Sequence, residues 1–387
     1  MSSFDRTAFS VSASLLLSIV LTWCTIRVCN RFGWVAYPRG DRWSRRTVAQ
    51  FGGVAFLLSW AAATLLIAHS PGLPLLLLTF GMGAVGFIDD VFHLLPKWKL
   101  LAEIGIAATA VCFGVVYPLT ASLLINATLS IVWIVGLANA FNLLDNMDGL
   151  SAGVAFIALV YIALLIPGQN SAGLVLMLAA ALLGFLVFNF CPAQIFMGDT
   201  GSLALGSFLA CASTAGAARI GSRASIVVLP SLIFILPIFD TLLVSVTRRL
   251  QGRAISAGAR DHSSHRLVFL GMREKTAVIT LYCFSALGGA LAVVWHMARP
   301  QLGAGFLALF LFAVMLLWIH LAQVQMPHTW MSKSTVSTLI LPEFLRIMRK
   351  QIGSIFQNAA QRGLSFYLAI GLRQQLSRAS RNNCNYQ

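Results

Sequence analysis

The chain has 387 residues, 58% of them hydrophobic and only 10% charged, with a formal charge of +15. Soluble domains run at roughly 45–50% and about 25%, so an ordinary soluble domain is excluded. Nucleic acid is a poor explanation of the charge, because basic loops of a membrane chain mark the cytoplasmic side and its anionic lipids.

The first apolar run, residues 9–29, lacks a basic leader region and a small-residue cleavage site, and reads as an uncleaved membrane helix. About ten more runs near the bilayer-spanning length of ~20 residues follow. They cover 51–68, 73–89, 100–117, 121–138, 151–166, 171–190, 203–218, 224–246, 276–297 and 302–324. Breakers such as Pro71-Gly72, Pro118, Pro167-Gly168, Pro192 and Pro300 separate many of them. The fold class expected is all-α, a polytopic membrane protein of about eleven transmembrane helices. Residues 1–330 would form the multi-spanning domain. Residues 331–387 would be a basic cytoplasmic tail, read either as an interfacial amphipathic helix or as disordered.

Of the 27 lysines and arginines, all but Arg6, Arg219, Arg223 and Arg299 fall on alternate connections or the tail. The positive-inside rule then puts the N-terminus outside and the C-terminus in the cytoplasm. The seven cysteines are scattered with no C-x-x-C pair, which leaves zinc and disulfide frameworks without support.

Only twelve residues are acidic, and a carboxylate kept near hydrocarbon is a functional candidate by default. Asp89-Asp90 closes one apolar run and is followed by Lys97 and Lys99. Paired carboxylates disfavour joint ionisation unless a cation compensates, and Mg2+ prefers carboxylate oxygens while bridging phosphates. A solvated loop with interfacial lysines is the plainer alternative.

Next, Asn139, Asn142, Asp145 and Asp148 recur every third position before Gly149, which lines them along one helix face. A helix cap needs one such residue, not four in register. The segment Asn189…Phe196-Met-Gly198-Asp199-Thr200-Gly201-Ser202 leads into an apolar helix, whose free N–H groups favour phosphate. In it Asp199 is a candidate metal ligand and Phe196 a surface for stacking on a base; an N-capped turn is the alternative. The last basic loop holds Asp261-His262-Ser263-Ser264-His265-Arg266, suited to pyrophosphate or proton transfer. Exposed loop histidines are the plainer account. The topology brings Asp89, Asp90, Asp145, Asp148, Asp199 and Asp261 to the cytoplasmic surface. Asp240 and Glu274 carry no motif role.

Together these segments resemble the polyprenyl-phosphate N-acetylhexosamine-1-phosphate transferases, glycosyltransferase family 4. That family shows an Asp-Asp pair followed by a lysine, N-x-x-N-x-x-D-x-x-D-G, F-M-G-D-x-G-S and a later histidine loop, in this order. Within the family the chain is most similar to the branch making undecaprenyl-diphospho-N-acetylglucosamine. The resemblance covers about residues 9 to 325. It implies a bacterial inner-membrane enzyme with a cytoplasmic site, transferring a sugar-1-phosphate from a UDP-N-acetylhexosamine to undecaprenyl phosphate and releasing UMP. It further implies Mg2+, with Mn2+ as a substitute, contact with membrane lipid, and an oligomeric state open to a homodimer.

By the same resemblance Asp199 is the principal metal ligand, and Asp89/Asp90 handle the lipid phosphate. Asn139, Asn142, Asp145 and Asp148 belong to the nucleotide and catalytic site, and Lys99 steadies phosphate charge. Asn189 and Phe196 match uridine contacts, and His262, His265 and Arg266 the phosphate-binding loop. The chain departs from the family pattern at Ser44 and Thr47 (often His and Pro), at Asn146 (a glycine) and at Ser263-Ser264, which interrupt a run of histidines. Direct transfer and an aspartyl phospho-enzyme both fit the residues. The phospho-N-acetylmuramoyl-pentapeptide transferases are the runner-up. An ion-coupled transporter is the alternative from another class, although transporters keep their acids near the midplane with internal repeats; a scaffold with a decayed site is a third.

Overall fold

A computed structural model describes residues 3–38, 46–65, 73–165, 169–220, 223–255, 259–297 and 300–324. Ser44 and the tail 331–387 lie outside the described residues. The described chain is all-α apart from one short hairpin, as the hydropathy pattern predicts.

Helix α1 (Ser3–Phe32) carries Ser10, Ser14, Ser18 and Thr22 at four-residue spacing, all buried. Small polar residues on one stripe let helix backbones approach closely. Ser14 Oγ donates to the Met177 carbonyl at 2.7 Å and Ser18 Oγ to that of Ala181 at 2.5 Å, both on α7 (Gln169–Asn189). After α1, strands β1 (Val35–Ala36) and β2 (Val48–Ala49) pair antiparallel, and Ala49 bridges onward to Ile195. This small hairpin lays the segment before α2 (Gly52–Ala63) against the turn after α7.

Next come α3 (Leu73–Phe92), α4 (Pro96–Cys112), α5 (Leu123–Leu144), α6 (Leu150–Leu165) and α8 (Gly198–Ile220). Leu203, Leu205, Phe208 and Leu209 of α8 are fully buried, so this helix lies within the core and packs on α3 and α5. The chain continues through α9 (Arg223–Ile233), α10 (Ile235–Leu250), the short α11 (Ser263–Phe269), α12 (Glu274–Met297) and α13 (Pro300–Ala322). Exposed Phe306, Leu309 and Phe312 give α13 an apolar outer face, in contrast to α8.

Among the described residues each of the eleven apolar ranges contains a helix, although the fourth runs past the end of α4 at Cys112. By length and composition, six described helices suffice to cross a membrane (in α1, α3, α5, α7, α12 and α13), and α9 with α10 makes a seventh if the bent pair is one span. The helices α2 and α6 are apolar but shorter. The ninth range is broken: α9 and α10 meet at 76°. Pro237 explains the position, since a proline has no N–H to donate and its ring crowds the carbonyl four residues back, here Ile233.

Contact density divides the chain into two compact units. Among the described residues, one holds those up to Val246 and from Ile255 onward, and the other holds Thr247–Ala254. The described part of the second is the end of α10 and a turn in which Gly252 has φ 67°.

Candidate active site

The site is built from residues at helix ends. α3 delivers Asp89 and Asp90 in its last turn, and His93, with φ 53°, reverses the chain. Asp89 Oδ1 accepts the Leu94 N–H at 2.7 Å, which fixes the carboxylate. Pro96 occupies the first turn of α4, where a missing N–H costs nothing, and places Lys99 facing back toward Asp89. The Lys99 ammonium donates to Asp89 Oδ2 at 2.9 Å and also to Asp199 Oδ2. Three helices thus meet at one cation. Burial alone would lower the Lys99 ammonium, but the Asp199 and Asp89 carboxylates outweigh it and hold it above its ordinary value. Burial, only partly offset by Lys99, lifts the Asp199 carboxyl above the usual range. Asp199 is nonetheless the most open of the three, with 31% of its side chain exposed against 16% for Asp89 and 15% for Lys99.

Asp90 has a different duty from its neighbour. Its two oxygens accept from the Asp199 N–H at 2.9 Å, the Thr200 N–H at 3.0 Å and the Thr200 hydroxyl at 2.7 Å. It is the cap of α8, supplied by another helix: it satisfies orphan donors and sets a negative charge at the positive end of the dipole. The close approach requires glycine. A Cβ on Gly86 would collide with the Asp199 carbonyl oxygen, and one on Gly198 (φ 69°) would lie 2.6 Å from Asp90 Oδ2.

Of the predicted four-residue helical stripe, only Asn139 and Asn142 lie on α5, which ends at Leu144; Asp145 is its C-cap and Asp148 falls in the turn that follows. Asn142 Nδ2 donates to Ser202 Oγ on α8 at 2.9 Å, and Ser202 Oγ donates to the Gly198 carbonyl at 3.1 Å. Asn139 Nδ2 donates at 2.5 Å to Glu103 Oε2 on α4. Asp145 terminates α5, its N–H returning to the Phe141 and Asn142 carbonyls. Asp148 Oδ2 accepts the Ala193 N–H at 2.8 Å and so holds the turn after α7. Burial raises the Asp148 carboxyl; that N–H opposes the shift and nearby Glu274 adds to it.

In the same turn, Asn189 Nδ2 donates to the Ile195 carbonyl at 2.8 Å, while its buried Oδ1 has no hydrogen-bond partner among the described residues. The Phe196 N–H pairs with the Ala49 carbonyl at 2.9 Å, and its half-buried ring adjoins Gly198 and Asp199 in sequence.

The histidine loop is buried rather than exposed. His262 precedes α11, and its Nδ1 lies 2.8 Å from Asp240 Oδ2 on α10. The Ser263 N–H donates to Asp240 Oδ1 at 2.7 Å. His265 is held down to about 3, first by burial and then by the neighbouring His262. Arg266 sends its Nε to the Asp261 carbonyl at 2.7 Å and its Nη1 to the Leu321 and Val324 carbonyls at 2.7 and 3.3 Å, tying the loop to the end of α13. The Ser264 hydroxyl donates to Asn146 Oδ1 at 2.6 Å. Two positions that depart from the family pattern therefore bond to each other across 118 residues.

Sequence reasoning passed over Glu103. It is fully buried, one helical turn beyond Lys99, and its Oε1 has no hydrogen-bond partner among the described residues. The signal was present: a carboxylate inside an apolar run, four residues after the motif lysine. Asp240 belongs to no sequence motif, and only the fold pairs it with His262.

The oxygen donors fit a hard divalent cation. Among the described residues no group of three or more His, Cys, Asp or Glu forms a ready-made cage. Mg2+, however, takes one or two carboxylates and completes its shell with water and substrate phosphates. Asp89 and Asp199 already share one positive group, the Lys99 ammonium, so the space beside them is suited to positive charge.

A fold of apolar helices whose acids meet at helix ends is the frame of a membrane transferase acting on phosphates. The profile of the Glycosyl transferase family 4 matches residues 73–217, which take in α3 through α8. The chain belongs to that family. It is 30% identical to a probable undecaprenyl-phosphate N-acetylglucosaminyl 1-phosphate transferase of Bacillus subtilis, over 82% of this chain and 91% of that one. It is also 30% identical to a decaprenyl-phosphate N-acetylglucosaminephosphotransferase of Mycolicibacterium smegmatis, over 70% and 77%. To a phospho-N-acetylmuramoyl-pentapeptide-transferase of Staphylococcus aureus it is 29% identical, over 72% and 97%.

Proposed function

We propose that this chain transfers N-acetylglucosamine-1-phosphate from UDP-N-acetylglucosamine to undecaprenyl phosphate, releasing UMP, at the cytoplasmic face of a bacterial inner membrane. The observation that carries the reading is the Lys99 ammonium between Asp89 and Asp199, where α3, α4 and α8 converge. The names of the B. subtilis and M. smegmatis relatives support the sugar and the lipid acceptor.

An oxygen of the acceptor phosphate attacks the sugar-bearing phosphorus, and the bond from that phosphorus to the bridging oxygen breaks, leaving with UMP. Phosphoryl transfer of this kind depends on positioning and charge more than on covalent help from the protein. Asp199, with Asp89 beside it, would hold Mg2+, which would offset charge on the pyrophosphate. Lys99 steadies the same phosphates, and Asp89 is placed to take the acceptor's proton. Asn142, Asp145 and Asp148 line the donor side, with the Phe196 ring offered to the base. The imidazole of His262 meets the pyrophosphate from the α11 side. An apolar cavity of about 500 Å3 between α5, α9 and α10, lined by Val132, Gly136, Val227, Ile238 and Leu242 among others, suits an isoprenoid chain.

The S. aureus relative makes the muramoyl-pentapeptide branch the second reading; the interrupted histidine run His262-Ser-Ser-His265 argues against it. The purified protein, given undecaprenyl phosphate and labelled UDP-N-acetylglucosamine, should yield labelled lipid and UMP, with both lost on EDTA treatment and restored by Mg2+. Transfer only from UDP-N-acetylmuramoyl-pentapeptide would select the second reading. Release of UMP from neither donor would end the proposal.

A further inference from the structure

We infer that Asp240 is a positioning residue for the transfer: it fixes the ring of His262 so that Nε2 faces the donor's pyrophosphate. The inference rests on the proposed role of His262. It starts from the cost of the arrangement. Asp240 is 1% exposed on α10 in an apolar setting, where an isolated carboxylate is strongly disfavoured.

Both of its oxygens go to the start of α11. Oδ1 accepts the Ser263 N–H at 2.7 Å, and Oδ2 lies 2.8 Å from His262 Nδ1. An ionised carboxylate only accepts hydrogen bonds, so Nδ1 carries the hydrogen and Nε2 is the nitrogen left for substrate. Capping alone would need one oxygen. The second fixes the orientation and tautomer of the ring, as the partner carboxylates of catalytic and metal-binding histidines do. His262 and His265 are both buried, 5.7 Å apart between ring centroids, and it is the His262 ring that meets the Asp240 carboxylate, while Ser264 is turned to Asn146.

A double-mutant cycle tests this. His262→Gln should lower kcat with little change in KM for either substrate. Asp240→Asn keeps an amide oxygen for the Ser263 N–H but faces His262 with a donor; it should cost on the order of 10–100-fold in kcat. The double variant should be no worse than His262→Gln alone, because the carboxylate acts only through the ring. Losses that multiply, or an Asp240→Asn enzyme with wild-type kcat beside a crippled His262→Gln, overturn the inference and leave the active-site reading intact. A fully active His262→Gln enzyme overturns the reading of His262 itself and the inference with it. Should Asp240→Asn fail to accumulate, 15N-histidine spectra of the wild-type protein decide the matter. The expected result is a His262 protonated at Nδ1, whose Nε2 resonance moves on adding UDP-N-acetylglucosamine; an unprotonated Nδ1 or an Nε2 indifferent to the donor refutes it.

Discussion

At the N-terminal end of α5, Asn126 accepts from the Thr120 N–H and hydroxyl at 2.9 and 3.0 Å, and returns a hydrogen bond to the Thr120 carbonyl at 2.9 Å. One turn later Ser130 Oγ donates to the Asn126 carbonyl at 2.7 Å and accepts the Tyr117 N–H at 2.8 Å. At the C-terminal end, Asn139, Asn142 and Asp148 reach partners on α4, on α8 and after α7, and the cluster beside them holds several carboxylates and one lysine. The first cluster is neutral, largely local, and reciprocally bonded at Asn126 and Ser130. The second gathers charge from distant parts of the chain and leaves buried oxygens on Glu103 and Asn189 without partners. Polar residues that only hold a fold can satisfy one another, while a site built for a charged substrate keeps capacity for it.

Four experiments would break or sharpen this contrast. The largest effect is expected from Gly86→Val, because even a Cβ at that position overlaps the backbone of Asp199 and Thr200. Helices α3 and α8 would have to separate, and the variant should show neither a cooperative melting transition in detergent nor transferase activity. Next, Asp199→Asn should reduce UMP release by about a thousandfold or more, the scale of removing a group that stabilises transferring charge, with the melting temperature close to wild type. At the opposite end, Asn126→Ala should do the reverse. It should cost about 1–3 kcal/mol of stability through lost buried hydrogen bonds, seen in thermal melts, with kcat unchanged.

The smallest effect concerns pH. His265 is depressed to about 3 in the fold against 6.5 in the unfolded chain. Below pH 6.5 the unfolded state binds a proton that the folded state refuses. The stability present above 6.5 is therefore lost as the pH falls toward 3, at no more than about 1.4 kcal/mol per unit. Melting curves from pH 7.5 to 5 should show this slope reduced in His265→Gln; an unchanged slope would remove His265 as its source.

Much of the fold was legible because apolar run length is a local signal, and among the described residues each run contains a helix. The break at Phe234 was visible only as Pro237, which a hydropathy window averages away. Of the site, Asp89, Lys99, Asn142 and Asp199 announced themselves by spacing. The division of labour between Asp89 and Asp90 did not. Which of two adjacent acids faces a lysine, and which caps a helix more than a hundred residues on, is decided by how α3 docks. Glu103, Asp240 and the Asn146–Ser264 bond were hidden for the same reason, their partners lying between 22 and 118 residues away.

Because the first turn of α8 takes its cap from Asp90, the end of the helix that presents Asp199 is incomplete until α3 lies against it. The proposed site is therefore not made by either helix alone; the docking of α3 on α8 makes it. A chain that inserts but fails to dock would hold its proposed metal ligand on a fraying helix end, inert toward nucleotide sugars. The shared aspartate thereby ties the proposed site to the contact between two helices far apart in the chain.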